Sequence, residues 1–359
     1  MDADPYKRLA ERLDALPNGY PATPEGTELR ILALLFTPEQ AALAAKLRLT
    51  PETPAQIAVR TDGDAELLRR QLKEMVRLGL ITSRRIEAGL GYAIMPFVVG
   101  IYEAQAGRIS ADLARLFEEY YREAFGQMFS IQPSVHRVIP VNQSVRSEME
   151  IRPYESVREI VDNAQSWGVL DCICRTQKAL VGDSCGHPVE MCMVFSRRPG
   201  AFEHNSVIRS LTHADALKTL RRAVEAGLVH SVSNNQKGTY YVCNCCTCSC
   251  GILRGMAEMG IANAIARSAF VNQVDVDLCL ACEDCRESCQ FGALALDGQV
   301  MQVDGVRCVG CGVCVPTCPE DALGLVRRPE EEILSVPETE ADWMQVRAAA
   351  RGQNISTVL

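Results

Sequence analysis

The 359-residue sequence has no apolar run near the ~20 residues that a bilayer-crossing helix needs. The longest candidates, ILALLF and the Pro-interrupted stretch from Ala93 to Tyr102, are too short, which excludes a helical membrane span. The opening MDADPYKRLAERLD is charged where a secretory signal would be apolar, so none is expected. Positive charge is in deficit, with 37 Lys and Arg against 45 Asp and Glu and a net charge of −8, which disfavours a general nucleic-acid binder. Nor is there a GxGxxG fingerprint, a P-loop or a flavin motif, so an enzyme acting on nucleotides would need a partner to supply that site.

What the chain has in excess is cysteine, 17 residues of it. So many thiols without an export signal imply a reducing cytosol and metal ligation rather than disulfides. The length and the 47% hydrophobic content allow two or three domains with ordinary cores.

Two cysteine quartets stand in VDVDLCLACEDCRESCQFGALALDGQVMQVDGVRCVGCGVCVPTCPEDALGLV, residues 274 to 326. Cys279, Cys282, Cys285 and Cys289 form one, and Cys308, Cys311, Cys314 and Cys318 the other, both spaced C-x2-C-x2-C-x3-C. A ligand at every third residue lets one loop wrap three corners of a metal–sulfur cube, and Gly310 and Gly312 suit the tight bends required. Disulfides and zinc are the competing readings, but zinc sites favour paired rather than triple C-x2-C spacing. The halves repeat each other, and each ends in a short apolar run, GALAL and DALGLV.

In these features the segment resembles the bacterial 2[4Fe–4S] ferredoxins. The resemblance implies crossed fourth ligands. Cys279, Cys282, Cys285 and Cys318 would hold one cluster, and Cys308, Cys311, Cys314 and Cys289 the second. Pro319 follows the second quartet as in that family, whereas Gln290 stands where the family usually has proline after the first.

Residues 1 to about 95 read as a winged helix. Helices are expected from Thr27 to Phe36, from Pro38 to Leu49, from Pro54 behind a Thr53 cap, and from an Asp64 cap to Leu78, where Gly79 stops the chain. Strand segments at 81–86 and 91–94 would form the wing. The pattern resembles MarR-like winged helices. Arg69, Arg70, Lys73 and Arg77 on the last helix, with Arg84 and Arg85 on the wing, are candidate phosphate contacts. Interspersed Glu66, Glu74 and Glu87 favour a solvated face or a protein dock instead. Residues 96–134 are expected to continue as a helical connector with an apolar stripe of Phe97, Ile101, Leu113, Leu116, Phe117, Tyr120, Tyr121 and Phe125.

A cysteine-rich α/β middle domain spans 135–272, with a strand from Val135 to Val145 and a helix from Tyr154 to Trp167 closed by Gly168. Cys172, Cys174, Cys185 and Cys192 lie within about twenty residues and suit a third [4Fe–4S] cluster or, alternatively, zinc. Arg175 and Lys178 would offset the negative thiolates, and His187 is a weaker ligand candidate. A helix ending at Gly227 leads through a strand at 228–232 to YYVCNCCTCSC. There Cys243, Cys245, Cys246, Cys248 and Cys250 are too dense for core packing and suit a fourth cluster or shared ligands. A helix from Ile252 to Ala269 would turn its amino end towards a cluster. This region resembles cysteine-rich segments of dicluster ferredoxin-type proteins of anaerobes.

The ferredoxin segment occupies 273–328. A tail at 329–359 carries a helix from about Pro337 to Arg351, docked through Trp343, Met344 and Val346, with loose last residues. The expected class is therefore multidomain α+β. The expected function is electron transfer: a polyferredoxin-like subunit of a cytoplasmic redox complex, handing single electrons between partner oxidoreductases, with no catalytic residue of its own. Two [4Fe–4S] clusters are expected from the ferredoxin quartets and one or two more from the middle. The alternative is an iron–sulfur redox or oxygen sensor that acts on DNA through the winged helix. An acidic surface suits redox partner proteins, and a homo- or hetero-oligomer is compatible with it.

Overall fold

The computed structural model describes residues 4–359, so the first three residues of the charged amino-terminal stretch lie outside the described residues. The chain divides into two compact units. One contains residues up to Ile131 with Thr176–Asp183 and Met344–Leu359; the other contains Gln132–Arg175 and Ser184–Trp343.

In the first unit the helices are α1 (Pro5–Asp14), α2 (Thr27–Leu35), α3 (Pro38–Ala44), α4 (Pro54–Thr61) and α5 (Ala65–Arg77). Their boundaries follow local chemistry. Thr53 and Gln56 form a reciprocal capping box that opens α4 at Pro54, and Asp64 Oδ1 accepts from Leu67 N at 2.7 Å to open α5. Gly79, at φ +72°, ends the run in the left-handed conformation that favours glycine. Strands β1 (Thr82–Ile86) and β2 (Gly89–Ala93) form an antiparallel hairpin. Leu68, Leu72 and Met75 face inward on α5, whereas Arg69, Arg70, Lys73 and Arg77 are exposed, as are Arg84 and Arg85.

The expected continuous helix over 97–130 is not formed. Residues Phe97–Ile101 make an irregular turn, Gly107 takes φ +79°, and Ser110 caps a separate α6 (Ala111–Glu123). The apolar stripe is nonetheless a core: Tyr102 stacks on Phe117 with ring centroids 3.9 Å apart, and Tyr20, Phe97, Tyr120 and Phe125 gather beside them.

The second unit is built on β3 (His136–Val138), α7 (Val157–Asp162), β4 (Ser166–Asp171), α8 (Ile173–Leu180), β5 (Glu190–Ser196), β6 (Arg209–Leu211), α9 (His213–Glu225), β7 (Val229–Ser233) and β8 (Tyr241–Cys245). Residues of α8 from Thr176 onward count with the first unit. The six strands form one sheet in the order β3-β7-β8-β5-β4-β6. Every neighbouring pair is antiparallel, so the expected α/β middle is an antiparallel sheet with helices on it. Val157 and Val161 of α7 and Ala216 and Leu220 of α9 join Val169, Met193, Val232 and Val242 of the sheet in one core.

Three expectations for this region are corrected. The strand expected to reach Val145 stops at Val138, because Pro140 has no N–H to donate to a ladder. The helix expected through Trp167 ends at Asp162, and Trp167 and Gly168 lie inside β4. A Cβ at Gly168 would sit 2.3 Å from Ile208, so the glycine marks close packing rather than a helix end. The helix expected over 252–269 is only α10 (Gly251–Ala257) and breaks before Gly260, which takes φ +68°.

Beyond α10 come β9 (Phe270–Val274), α11 (Asp284–Glu287), β10 (Leu294–Asp297), β11 (Val300–Val303) and β12 (Leu323–Arg327). Strand β9 pairs with β12 and β10 with β11, both antiparallel. In the tail, α12 covers Glu340–Ala350. Trp343 is buried and donates from Nε1 to Ser134 O at 2.9 Å. Val346, expected to dock, is 54% exposed; Arg347 is the buried residue, donating to the carbonyls of Pro17, Met128 and Ile131. The last residues are not loose, since Val358 is buried and its carbonyl accepts from Leu49 N at 2.7 Å.

Candidate metal centres

The two C-x2-C-x2-C-x3-C loops fold round two separate pockets. Cys279, Cys282, Cys285 and Cys318 line one. Cys289, Cys308, Cys311 and Cys314 line the other. The exchange of one cysteine each way reflects the repeat of the two loops. Gly310 is required where it stands: at φ +68°, a Cβ there would lie 2.1 Å from Phe270 O. Its carbonyl and those of Cys311 and Gly312 accept from Ser268 Oγ at 2.7 Å, Val141 N at 2.9 Å and Ser144 Oγ at 2.8 Å. The second loop is thereby fastened to the antiparallel half of the unit.

Sulfur atoms in both pockets receive donors. Ala293 N reaches Cys289 Sγ at 3.4 Å, Ala322 N reaches Cys318 Sγ at 3.3 Å, and Asn272 Nδ2 reaches Cys314 Sγ at 3.3 Å. Burial pushes the Cys285 thiol up to about 11 and Cys311 to about 12, and holds Cys314 well above the ordinary thiol range. Neighbouring thiols reinforce each shift. Four thiolates so placed need a cationic core between them. Asn272 turns its Nδ2 donor towards Cys314 Sγ, as an anionic sulfur-rich group requires. The four-sulfur pockets thus fit a [4Fe–4S] cube each.

The nine middle cysteines group by strand geometry rather than by order along the chain. Alternation on β8 puts Cys243 and Cys245 on one face, and the β5–β8 register, Met193 opposite Val242, brings Cys192 beside Cys243. Cys172 and Cys174 come from the junction of β4 and α8, and Cys250 precedes α10. The six thiols influence one another's ionisation in a closed ring of neighbours running Cys172, Cys174, Cys250, Cys245, Cys243, Cys192 and back to Cys172. Two members opposite each other, Cys172 and Cys245, are held well below the usual thiol range by hydrogen bonds from their ring neighbours, against the effect of burial. The other four are raised well above it.

Cys185, expected with Cys172, Cys174 and Cys192, is placed elsewhere. It meets His187, Cys246 and Cys248, and the four ligand atoms all lie within 4.8 Å of one another. The adjacent Cys245 and Cys246 therefore face two different groups, because successive side chains at a strand end point opposite ways.

Arg175, which is buried, lies between the two groups. It feels the charges of Cys172 and Cys246 and donates to Pro188 O at 2.9 Å and to Asn244 O, while its Nε has no hydrogen-bond partner. Lys178, the other cation expected there, instead pairs with Glu118 at 3.7 Å and with Asp183. Three contributors had no sequence signal: Asn272, Ser249, whose Oγ is 3.3 Å from Cys185 Sγ, and Arg328, which donates to Cys308 O at 2.6 Å. Only the fold brings them to the sulfurs.

Residues 301–324, which include Cys308, Cys311, Cys314 and Cys318, match the 4Fe-4S binding domain family. No curated protein and no solved structure matches the chain. All 17 cysteines are free of disulfides. With that domain and these thiols, the chain is an iron–sulfur protein that carries at least one [4Fe–4S] cluster.

Proposed function

We propose that the chain is a multi-cluster electron-transfer protein, a polyferredoxin-like subunit of a cytoplasmic redox complex that passes single electrons between partner oxidoreductases. The observation that carries this reading is the pair of matched pockets, each walled by four cysteines, so that no metal corner is left open for substrate. Cys279, Cys282, Cys285 and Cys318 would hold one [4Fe–4S] cluster, and Cys289, Cys308, Cys311 and Cys314 the second. The six-thiol ring offers ligands for a third, with Cys172, Cys174 and Cys192 among them and Cys243, Cys245 and Cys250 completing the set. Clusters bound there supply one-electron redox centres.

The chain's own residues fix position and potential. Asn272 Nδ2 and the amides of Ala293 and Ala322 aim donors at ligand sulfurs, which stabilises the more negative, reduced state. Arg175 favours that state at the ring through its charge, which acts on Cys172 and Cys245. The exposed α5 face and the hairpin β1–β2 fit a winged-helix domain used as a protein dock. Salt bridges within α5, Arg69 to Glu66 at 2.7 Å and Arg77 to Glu74 at 3.9 Å, already occupy part of the basic face that a DNA complex would use.

The test is anaerobic purification with iron and sulfide counting, followed by electron paramagnetic resonance of the reduced protein. About twelve irons are expected, four per cluster. Iron-free protein, or protein whose iron cannot be reversibly reduced, overturns the reading.

A further inference from the structure

Cys185, His187, Cys246 and Cys248 meet as two loops facing each other. Each loop supplies two donors with a single residue between them, Cys185-Gly-His187 from one and Cys246-Thr-Cys248 from the other. Cys185 Sγ and Cys246 Sγ are 4.0 Å apart, Cys248 Sγ and His187 Nδ1 are 3.6 Å apart, and no pair of ligand atoms exceeds 4.8 Å. With metal–sulfur bonds of about 2.3 Å, two thiolates on one tetrahedral ion stand ~3.8 Å apart. The outer thiolates of a cube each sit on an iron of their own and stand farther apart. The quartet therefore has the span of a single ion, not of a cluster.

Its donor set points the same way. Three sulfurs and one imidazole form a Cys3His shell of the kind that closed structural zinc sites use, with no position left for substrate. The outer contacts that steady such ligands are also present. Ser249 Oγ lies 3.3 Å from Cys185 Sγ, and Thr247 N, between two of the ligands, is held by Gln290 Oε1 at 2.7 Å. Arg175 feels the charge of Cys246 and offsets the net negative charge of three thiolates around a divalent ion.

We propose that these four residues form a mononuclear zinc site, closed and redox-inactive, that clips the 185–187 loop to the 246–248 loop and replaces the fourth iron–sulfur cluster that cysteine counting alone suggests. On binding, each thiol releases its proton to solvent and zinc takes three sulfurs and one imidazole nitrogen, with no change of oxidation state. The site is independent of electron transfer through the ferredoxin pockets.

The test is metal analysis of anaerobically purified full-length protein, with zinc-edge X-ray absorption on the same samples. The expected result is one zinc per chain with a shell of three sulfurs at about 2.3 Å and one nitrogen at about 2.0 Å. Cys248→Ser, at an exposed position, is expected to lose the zinc and keep all the iron; His187→Ala is expected to weaken zinc retention likewise. A wild-type protein without zinc, a four-sulfur zinc shell, or a loss of about four irons in Cys248→Ser would each overturn the proposal. Iron retained in a zinc-free wild type sinks only this site, whereas an iron-free protein sinks the electron-transfer reading and leaves the zinc count to be read separately.

Discussion

Gln290 Oε1 accepts a hydrogen bond from Thr247 N at 2.7 Å, and the same side chain donates from Nε2 to Gly227 O. This amide thus joins the first C-x2-C-x2-C-x3-C loop to the loop that presents Cys246 and Cys248. A proline there could make neither contact.

Replacing Gln290 by leucine removes both bonds and leaves Thr247 N without its acceptor. A loss of about 1–3 kcal/mol is expected, read as a lower denaturation midpoint under anaerobic conditions. Gln290→Glu keeps the acceptor for Thr247 but turns a charged oxygen onto the Gly227 carbonyl, so it is expected to lower the midpoint as well.

The crossed pockets predict which cysteine variants resemble each other. Cys318→Ser is expected to remove the same resonance signal as Cys282→Ser, and Cys289→Ser the same signal as Cys311→Ser, each with about four irons lost. The spectrum of the middle site should persist in all four. If Cys289→Ser instead groups with Cys282→Ser, the crossing is wrong.

His136 is buried, with Nδ1 at 3.3 Å from Ser231 Oγ and Nε2 at 2.8 Å from Tyr241 OH. Burial pushes its pKa down to about 4 from the ordinary 6.5. The unfolded chain therefore binds this proton more readily than the native one. Its contribution is complete above about pH 6.5 and is lost as pH falls from there through about 4, reaching ~3 kcal/mol. Denaturation midpoints from pH 7.5 to 4.5 measure this, and in His136→Gln that part of the slope should flatten.

Arg347, fully buried, holds the carbonyls of Pro17, Met128 and Ile131 at once, at 3.0, 2.8 and 2.5 Å. Arg347→Met fits the aliphatic volume but strands three acceptors. The expected cost is about 2–4 kcal/mol, visible as a lower melting temperature with iron content unchanged in the protein that remains folded.

Arg70 is exposed on α5, in the unit that carries no cysteine. Arg70→Glu is expected to leave the rate of electron exchange among the clusters unchanged in stopped-flow reduction. A large fall would make the α5 face the partner's dock rather than a solvated surface.

Features carried by local chemistry were legible in the sequence. The caps at Thr53 and Asp64 and the stop at Gly79 need only neighbours a few residues away, so the helices they bound stand where the sequence places them. The two C-x2-C-x2-C-x3-C loops were legible for a similar reason, since each run keeps three of the four cysteines that line a pocket together. The middle region was not. Which face Cys192 shares with Cys243 depends on the pairing of β5 with β8, and Cys185 meets Cys246 across 61 residues. Spacing along the chain carries no record of such register. Apolar content misled for the same reason at Trp167, where a residue read as the end of a helix belongs to β4, and at Val346, where the buried member of the turn is a cation.

The exchange of Cys289 and Cys318 between pockets has a consequence for biosynthesis. The pocket begun by Cys279 gains its last wall only when Cys318 has left the ribosome, 39 residues later in the sequence. The pocket that Cys289 joins likewise stays open until Cys314 has been made, so neither set of four sulfurs can close before most of the second loop has been synthesised.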